Sequence, residues 1–146
     1  MNSNLRRHLF CHFAFAALLL SPFSLLAEVL VVTGANSPPV TLSKEQISDI
    51  FLGKITSLPD GHRVAPIDQP ESNPLRNEFY LKVANKSAAQ AKALWAKLYF
   101  TGRGEPPHEA KNDDDIKKIV NSTRGAIGYI DQSAVDKSVK VLLIVR

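Results

Sequence analysis

With 146 residues, 45% of them hydrophobic and 22% charged, the chain has material for one hydrophobic core and too little for two. Its formal charge of +4 is not gathered into a stripe of Lys and Arg with interleaved aromatics, which excludes a nucleic-acid surface. Its single cysteine, Cys11, excludes an internal disulfide and a thiolate metal cluster.

The chain opens on a basic pair, Arg6 and Arg7, followed by an apolar run from Leu9 to Leu20 and by Ser21-Pro22-Phe23-Ser24-Leu25-Leu26-Ala27. This is the layout of a secretory signal peptide cut after Ala27. The run is too short, and too broken by Pro22, to span a bilayer, which takes roughly 20 apolar residues. The expectation is therefore a signal peptide over residues 1–27 and a single exported domain over 28–146, periplasmic and with no membrane span after cleavage. His8-Leu9-Phe10 lacks the small residue expected just before a lipoprotein-type cysteine, so Cys11 leaves with the signal. An exported domain without disulfides suits a periplasm and must rely on its core. Cleavage also removes Arg6 and Arg7, so residues 28–146 carry 16 cationic side chains against 14 acids, a net charge of +2.

Glu28 to Val32 is a continuous apolar run, as in a strand covered on both faces. Gly34 to Pro39 is a loop. Ser43-Lys44-Glu45-Gln46 is a capping-box pattern that opens a helix with Ile47, Ile50 and Phe51 on one face, and Gly53 stops it. Pro59-Asp60-Gly61-His62 reads as a turn and Val64 to Ile67 as a second strand. A helix follows from about Pro74 to Val83, with Leu75, Phe79 and Val83 on its apolar stripe. Ser87 to Gln90 is a second capping box. It opens a helix on which Ala91, Leu94, Trp95 and Leu98 sit at i, i+3, i+4 and i+7. The same helical spacing assigns most of Trp95, Tyr99 and Phe100 to the core rather than to an aromatic binding surface. Thr101 to Pro107 is a loop. Asn112 caps a helix whose first turn is Asp113-Asp114-Asp115, where the helix dipole favours acids, and Ile116, Ile119 and Val120 face the core. Gly125 ends it. Ala126 to Ile130 and Val139 to Val145 are two further apolar strands. The order β-α-β-α-α-α-β-β predicts an α/β domain with parallel pairs and helices on the faces of its sheet.

The side chains that carry chemistry are few. His62 and His108, the histidines after residue 27, lie in turn-rich loops without a second ligand at metal-binding spacing. Asp113 to Asp115 lacks the alternating acids and central glycine of a calcium loop. No nucleotide-binding glycine motif, nucleophile elbow or nucleophile–base pair can be assembled, so neither an enzyme, nor a metal, nor a cofactor is expected. One segment remains, Ile67 to Phe79, where a short strand turns into a helix. Ser72 or Asn73 can cap that helix, and Pro74 fits its first turn. The Ser72 hydroxyl, the Asn73 amide, the backbone N–H groups of Leu75 and Arg76, and the Arg76 guanidinium are all donors near the positive end of the helix dipole, the composition of an oxyanion pocket. Pro74 deletes one donor, and Glu71 repels an anion unless it points away or pairs with Arg76. The same residues also describe an ordinary helix start.

A longer ordered pattern bears on that choice. Leu42-Ser43-x-x-Gln46-x-x-x-Ile50-Phe51-Leu52-Gly53-Lys54-Ile55, then Asp60-Gly61 and the second strand, Ser72, Arg76 and Phe79, Phe100-x-Gly102, Pro106-Pro107 and Gly125-Ala126-Ile127-Gly128-Tyr129-Ile130 together resemble the phosphate-binding proteins of phosphate ABC transporters. The resemblance covers most of residues 28–146 and is most specific in Ile50–Lys54 and Gly125–Tyr129. It implies a single lobe of the type II periplasmic binding-protein kind: a mostly parallel central sheet with helices on both faces. It also implies a solute-binding role toward phosphate or a similar oxyanion at Ser72 and Arg76, to which the same helix start adds the Asn73 amide and the Leu75 N–H, with an ABC transporter permease or another envelope protein as partner. The chain departs from the pattern in having one lobe, and in carrying Gln69 and Ser72-Asn73-Pro74 where such proteins tend to carry an arginine and a Ser-Gly-Thr run. Those departures imply weak binding. The alternative they leave is a lobe repurposed for protein interaction, without a small ligand.

Overall fold

The structure, a computed structural model, describes residues 28–146; the expected signal segment, residues 1–27, lies outside the described residues. Strand β1 (Val29–Gly34) is buried along its whole length, as its unbroken apolar sequence requires. Its side chains alternate between two apolar layers. Val29 and Val31 join one, and Leu30 and Val32 join the other.

The first layer is closed by helix α1 (Lys44–Phe51) and helix α2 (Pro74–Ala84). Ser43 caps α1 in a complete capping box, its hydroxyl accepting from Gln46 while the Gln46 side chain accepts from the Ser43 backbone. Ile47, Ile50 and Phe51 then turn inward and meet Leu75, Phe79, Tyr80 and Val83 of α2. The second layer is closed by helix α4 (Asp113–Ser122), through Ile116 and Val120. Helices therefore cover both faces of the sheet.

That sheet has five strands in the order β3-β2-β4-β1-β5, with β2 at Ala65–Asp68, β3 at His108–Glu109, β4 at Ala126–Asp131 and β5 at Val139–Val145. β2 runs parallel to β3 and to β4, whereas β1 is antiparallel to β4 and to β5. Four of the five strands thus point the same way, and β1 alone is reversed. This is the α/β sheet with parallel pairs and helices on its faces expected from the order of elements, and four like-directed strands make it mostly parallel, with one addition. His108, expected in a turn-rich loop, and Glu109 form an edge strand of two residues.

Helix α3 (Ala88–Phe100) departs most from its sequence pattern. Ala91 and Trp95 are buried, but Leu94 and Leu98 are only partly so. Tyr99 is 59% exposed and Phe100 85%, so the assignment of most of the three aromatics to the core is wrong: of these, Trp95 alone is buried. The physical reason is the position of α3 outside α1 and α2. It can bury a single narrow stripe, and the last turn runs past the layer beneath it. Trp95 anchors that stripe: its indole N–H donates to the Phe51 carbonyl at 2.9 Å. Among the described residues no helix is long and apolar enough to cross a membrane.

Two glycines mark close approaches. Gly125 sits at φ 77° where a Cβ would collide with the Arg63 carbonyl, and a Cβ on Gly128 would lie 2.6 Å from the Ile116 methyl of α4. The first lets β4 leave its turn beside β2; the second lets α4 settle onto the sheet.

Candidate functional site

Parallel strands carry their ends to the same edge of the sheet, and in open α/β sheets ligands bind outside the carboxyl ends of the strands. Here β2 and β3 end on Asp68 and Glu109, which are register partners across the parallel pair. α2 starts immediately beyond β2, and α4 immediately beyond β3. The two helix N-termini and the two carboxylates therefore share one end of the domain, and Arg76, in the first turn of α2, reaches between the carboxylates. Its Nη2 lies 3.2 Å from Asp68 Oδ2, and its Nη1 donates to Glu109 Oε2 at 2.8 Å and to the Gln69 carbonyl at 3.1 Å.

Asp68 is buried, and it is stabilised by the donors around it. It accepts from the hydroxyl of Tyr129, from the hydroxyl of Tyr80 at 2.9 Å and from the Gln69 backbone N–H at 3.1 Å, besides facing Arg76. Burial pushes its carboxyl above the ordinary value of 3.8, while the Tyr129 hydroxyl, the Arg76 charge and the Tyr80 hydroxyl pull the other way. Both phenols are held well above their ordinary range, first by burial and then by the adjacent Asp68 carboxylate, so they act as donors. Burial alone would lower the Arg76 guanidinium. The Asp68 carboxylate and the Glu109 hydrogen bond outweigh it, and the group is held more firmly in its charged form.

Gln69 ties the surrounding elements together. Its side-chain amide donates to the Tyr129 carbonyl of β4 at 2.9 Å and to Asp113 Oδ1 at the start of α4 at 2.6 Å, and its amide oxygen accepts from Asn73 at 3.1 Å. This fully buried polar side chain is satisfied on both ends, as burial demands.

Of the residues expected to form an anion pocket, the structure brings Asn73, Leu75 and Arg76 together and leaves Ser72 exposed on the preceding turn. Asn73, not Ser72, is the N-cap: its side-chain oxygen accepts from the Leu75 N–H at 3.0 Å. The Arg76 N–H donates to the Asn73 carbonyl at 3.1 Å. These backbone donors are spent on the helix start in this state, and the outward polar groups are the Ser72 hydroxyl and the edge of Arg76. Glu71 does not pair with Arg76; it forms an ion pair with Lys92 of α3 at 2.6 Å. A groove of about 400 Å³ opens beside Arg76, lined by Trp95, Tyr99 and Phe100 of α3 and by Pro106 and Pro107.

Sequence reasoning missed Asp68, Tyr80, Tyr129 and Glu109. Asp68 and Gln69 carried a signal, two polar residues closing an apolar strand just before a turn. Glu109 carried none, because a two-residue strand has no periodicity to read.

No protein-family model matches the chain, and no curated protein sequence matches it. Solved structures do. A phosphate ABC transporter substrate-binding protein from Clostridium perfringens, with phosphate bound, superposes with a TM-score of 0.64 at 25% identity, over 80% of this chain and 44% of that one. The chain has the fold of phosphate ABC transporter substrate-binding proteins. An ABC-type phosphate transport receptor from Vibrio cholerae gives a TM-score of 0.62 at 22% identity, over 80% of this chain and 45% of that one. PstS from Borrelia burgdorferi gives 0.60 at 14% identity, over 80% and 46%; at these two identities the likeness is one of fold. The chain spans less than half the length of these solved structures. The architecture is of the type II binding-protein kind that the ordered sequence pattern implied.

Proposed function

We propose that residues 28–146 form a periplasmic solute-binding module that holds phosphate or another oxyanion weakly at the N-terminus of α2, through Ser72, Asn73, Leu75 and Arg76. The observation that carries this reading is the shared fold with a phosphate-bound substrate-binding protein at 25% identity and a TM-score of 0.64. Arg76 is its centre, a guanidinium fixed at the carboxyl ends of β2 and β3, where α/β sheets take their ligands. Binding is weak because the nearby backbone donors already serve the helix cap, and because two carboxylates share Arg76. The module is exported by a signal peptide over residues 1–27, is not an enzyme, and works with an ABC transporter permease or another envelope protein.

The test is calorimetry of the purified domain with inorganic phosphate and with sulfate. Saturable heat that weakens in Arg76→Lys supports the site; no heat at millimolar ligand removes the oxyanion claim. The alternative, a lobe acting in protein interaction without a small ligand, has one observation behind it, the exposed Tyr99 and Phe100 beside the groove. It has no phosphate-bound neighbour to match the first reading.

A further inference from the structure

Arg76 is mostly enclosed, with 12% of its side chain exposed. Asp68, on its inner side, is 2% exposed, while Glu109, on its outer side, is 50% exposed. Any anion approaching from solvent therefore meets Glu109 first. The Glu109 carboxylate lies 2.8 Å from Nη1, at the distance and with the oxygen chemistry that a phosphate or sulfate oxygen would use on a guanidinium. We propose that Glu109 is a built-in competitor for the anion, occupying the outward donor of Arg76 so that an oxyanion binds only by displacing it. The proposal rests on the anion-binding reading above and names the residue that sets its affinity.

The local charge supports it. One guanidinium faces two carboxylates, and the Asp113 carboxylate approaches within 2.6 Å of the Gln69 amide that braces the turn. Lys92 is committed to Glu71 and does not redress the balance. An anion added to this arrangement enters a region already over-neutralised, whereas a monoanion replacing Glu109 leaves the count unchanged and a dianion raises it by one rather than two. The carrier of Glu109 is also the edge strand of the sheet. β3 is two residues long and pairs with the rest of the sheet only through β2.

The test is calorimetry with inorganic phosphate, and separately with sulfate, on the wild type, Glu109→Gln, Glu105→Gln and Glu109→Gln combined with Arg76→Lys. Glu105 is an exposed acid in the loop just before β3 and controls for the general change in charge. The expected result is phosphate binding about tenfold or more tighter in Glu109→Gln, an unchanged affinity in Glu105→Gln, and loss of the gain in the double variant. A Glu109→Gln protein that binds no tighter than the wild type overturns the proposal, as does an equal gain in Glu105→Gln or a gain that survives Arg76→Lys. If the wild type binds and Glu109→Gln gains nothing, the anion site stands and the competitor falls. If no variant binds at millimolar phosphate, both fall.

Discussion

The ring of Tyr129 lies flat against that of Phe79, with centroids 3.8 Å apart and planes 5° from parallel, and from this stack its hydroxyl donates to the Asp68 carboxylate. The apolar layer between the sheet and α2 thus holds the donor that keeps the buried acid solvated. Tyr129→Phe preserves the stack and removes the donor. It is expected to destabilise the domain by about 1–3 kcal/mol, the cost of leaving a buried acceptor short of a partner. Urea denaturation measures it; an unchanged midpoint would mean that the hydroxyl contributes nothing net.

The raised carboxyl of Asp68 makes a second expectation, with a definite sign. A carboxyl whose folded value exceeds its unfolded one keeps its proton to higher pH in the native state. Unfolding then releases a proton, and the contribution of Asp68 to stability falls as pH rises from about 3.8 through the folded value. Exposed acids such as Asp60 and Glu71, held below their ordinary values by His62 and Lys92 respectively, act in the opposite direction over lower pH. The difference between wild type and Asp68→Asn across a pH series isolates the Asp68 contribution. A difference that grows with pH through this window would reverse the assignment.

Gly102 and Gly125 provide a matched pair. Both have positive φ, 68° and 77°, but a Cβ on Gly102 meets nothing within 4 Å while one on Gly125 collides with the Arg63 carbonyl. Gly102→Ala is expected to cost about 1 kcal/mol from backbone conformation alone. Gly125→Ala is expected to cost at least about 2 kcal/mol more, because β4 must move away from β2. Equal losses in thermal melts would show that the contact relaxes freely.

Phe79 and Phe100 provide another. Phe79 is fully buried and Phe100 is 85% exposed. Phe79→Ala is expected to cost about 3–5 kcal/mol, and Phe100→Ser less than about 0.5 kcal/mol. A large loss in Phe100→Ser would show that the last turn of α3 is packed after all.

The elements most legible from sequence were those with local chemistry of their own. Both capping boxes, at Ser43 and Ser87, start helices as written, and the apolar runs at Val29 and Val139 are strands. The Ile50–Lys54 and Gly125–Tyr129 motifs also have separable physical causes. Phe51 supplies an aromatic contact with Phe79 and with Tyr129. Gly53, at φ 76°, lies against the Trp95 ring, and Gly125 and Gly128 give the turn and the clearance that bring Tyr129 to Asp68. What could not be read was what depends on partners distant in the chain. Glu109 meets Arg76 across 33 residues and Tyr129 meets Asp68 across 61. The apolar spacing on α3 is genuine, but spacing fixes a face and not what lies opposite it, so of Trp95, Tyr99 and Phe100 one is buried where the spacing puts most of them in the core. Arg76 was identified from its place in the helix, and its two carboxylate partners were not.

Trp95 is the sole tryptophan of the chain, and its indole is hydrogen-bonded to the carbonyl of Phe51 while its ring borders the groove beside Arg76. The protein therefore carries its own optical probe at the joint between α1 and α3. Emission from that one fluorophore reports whether α3 is seated, and a quencher or a ligand entering the groove registers in the same signal without any label.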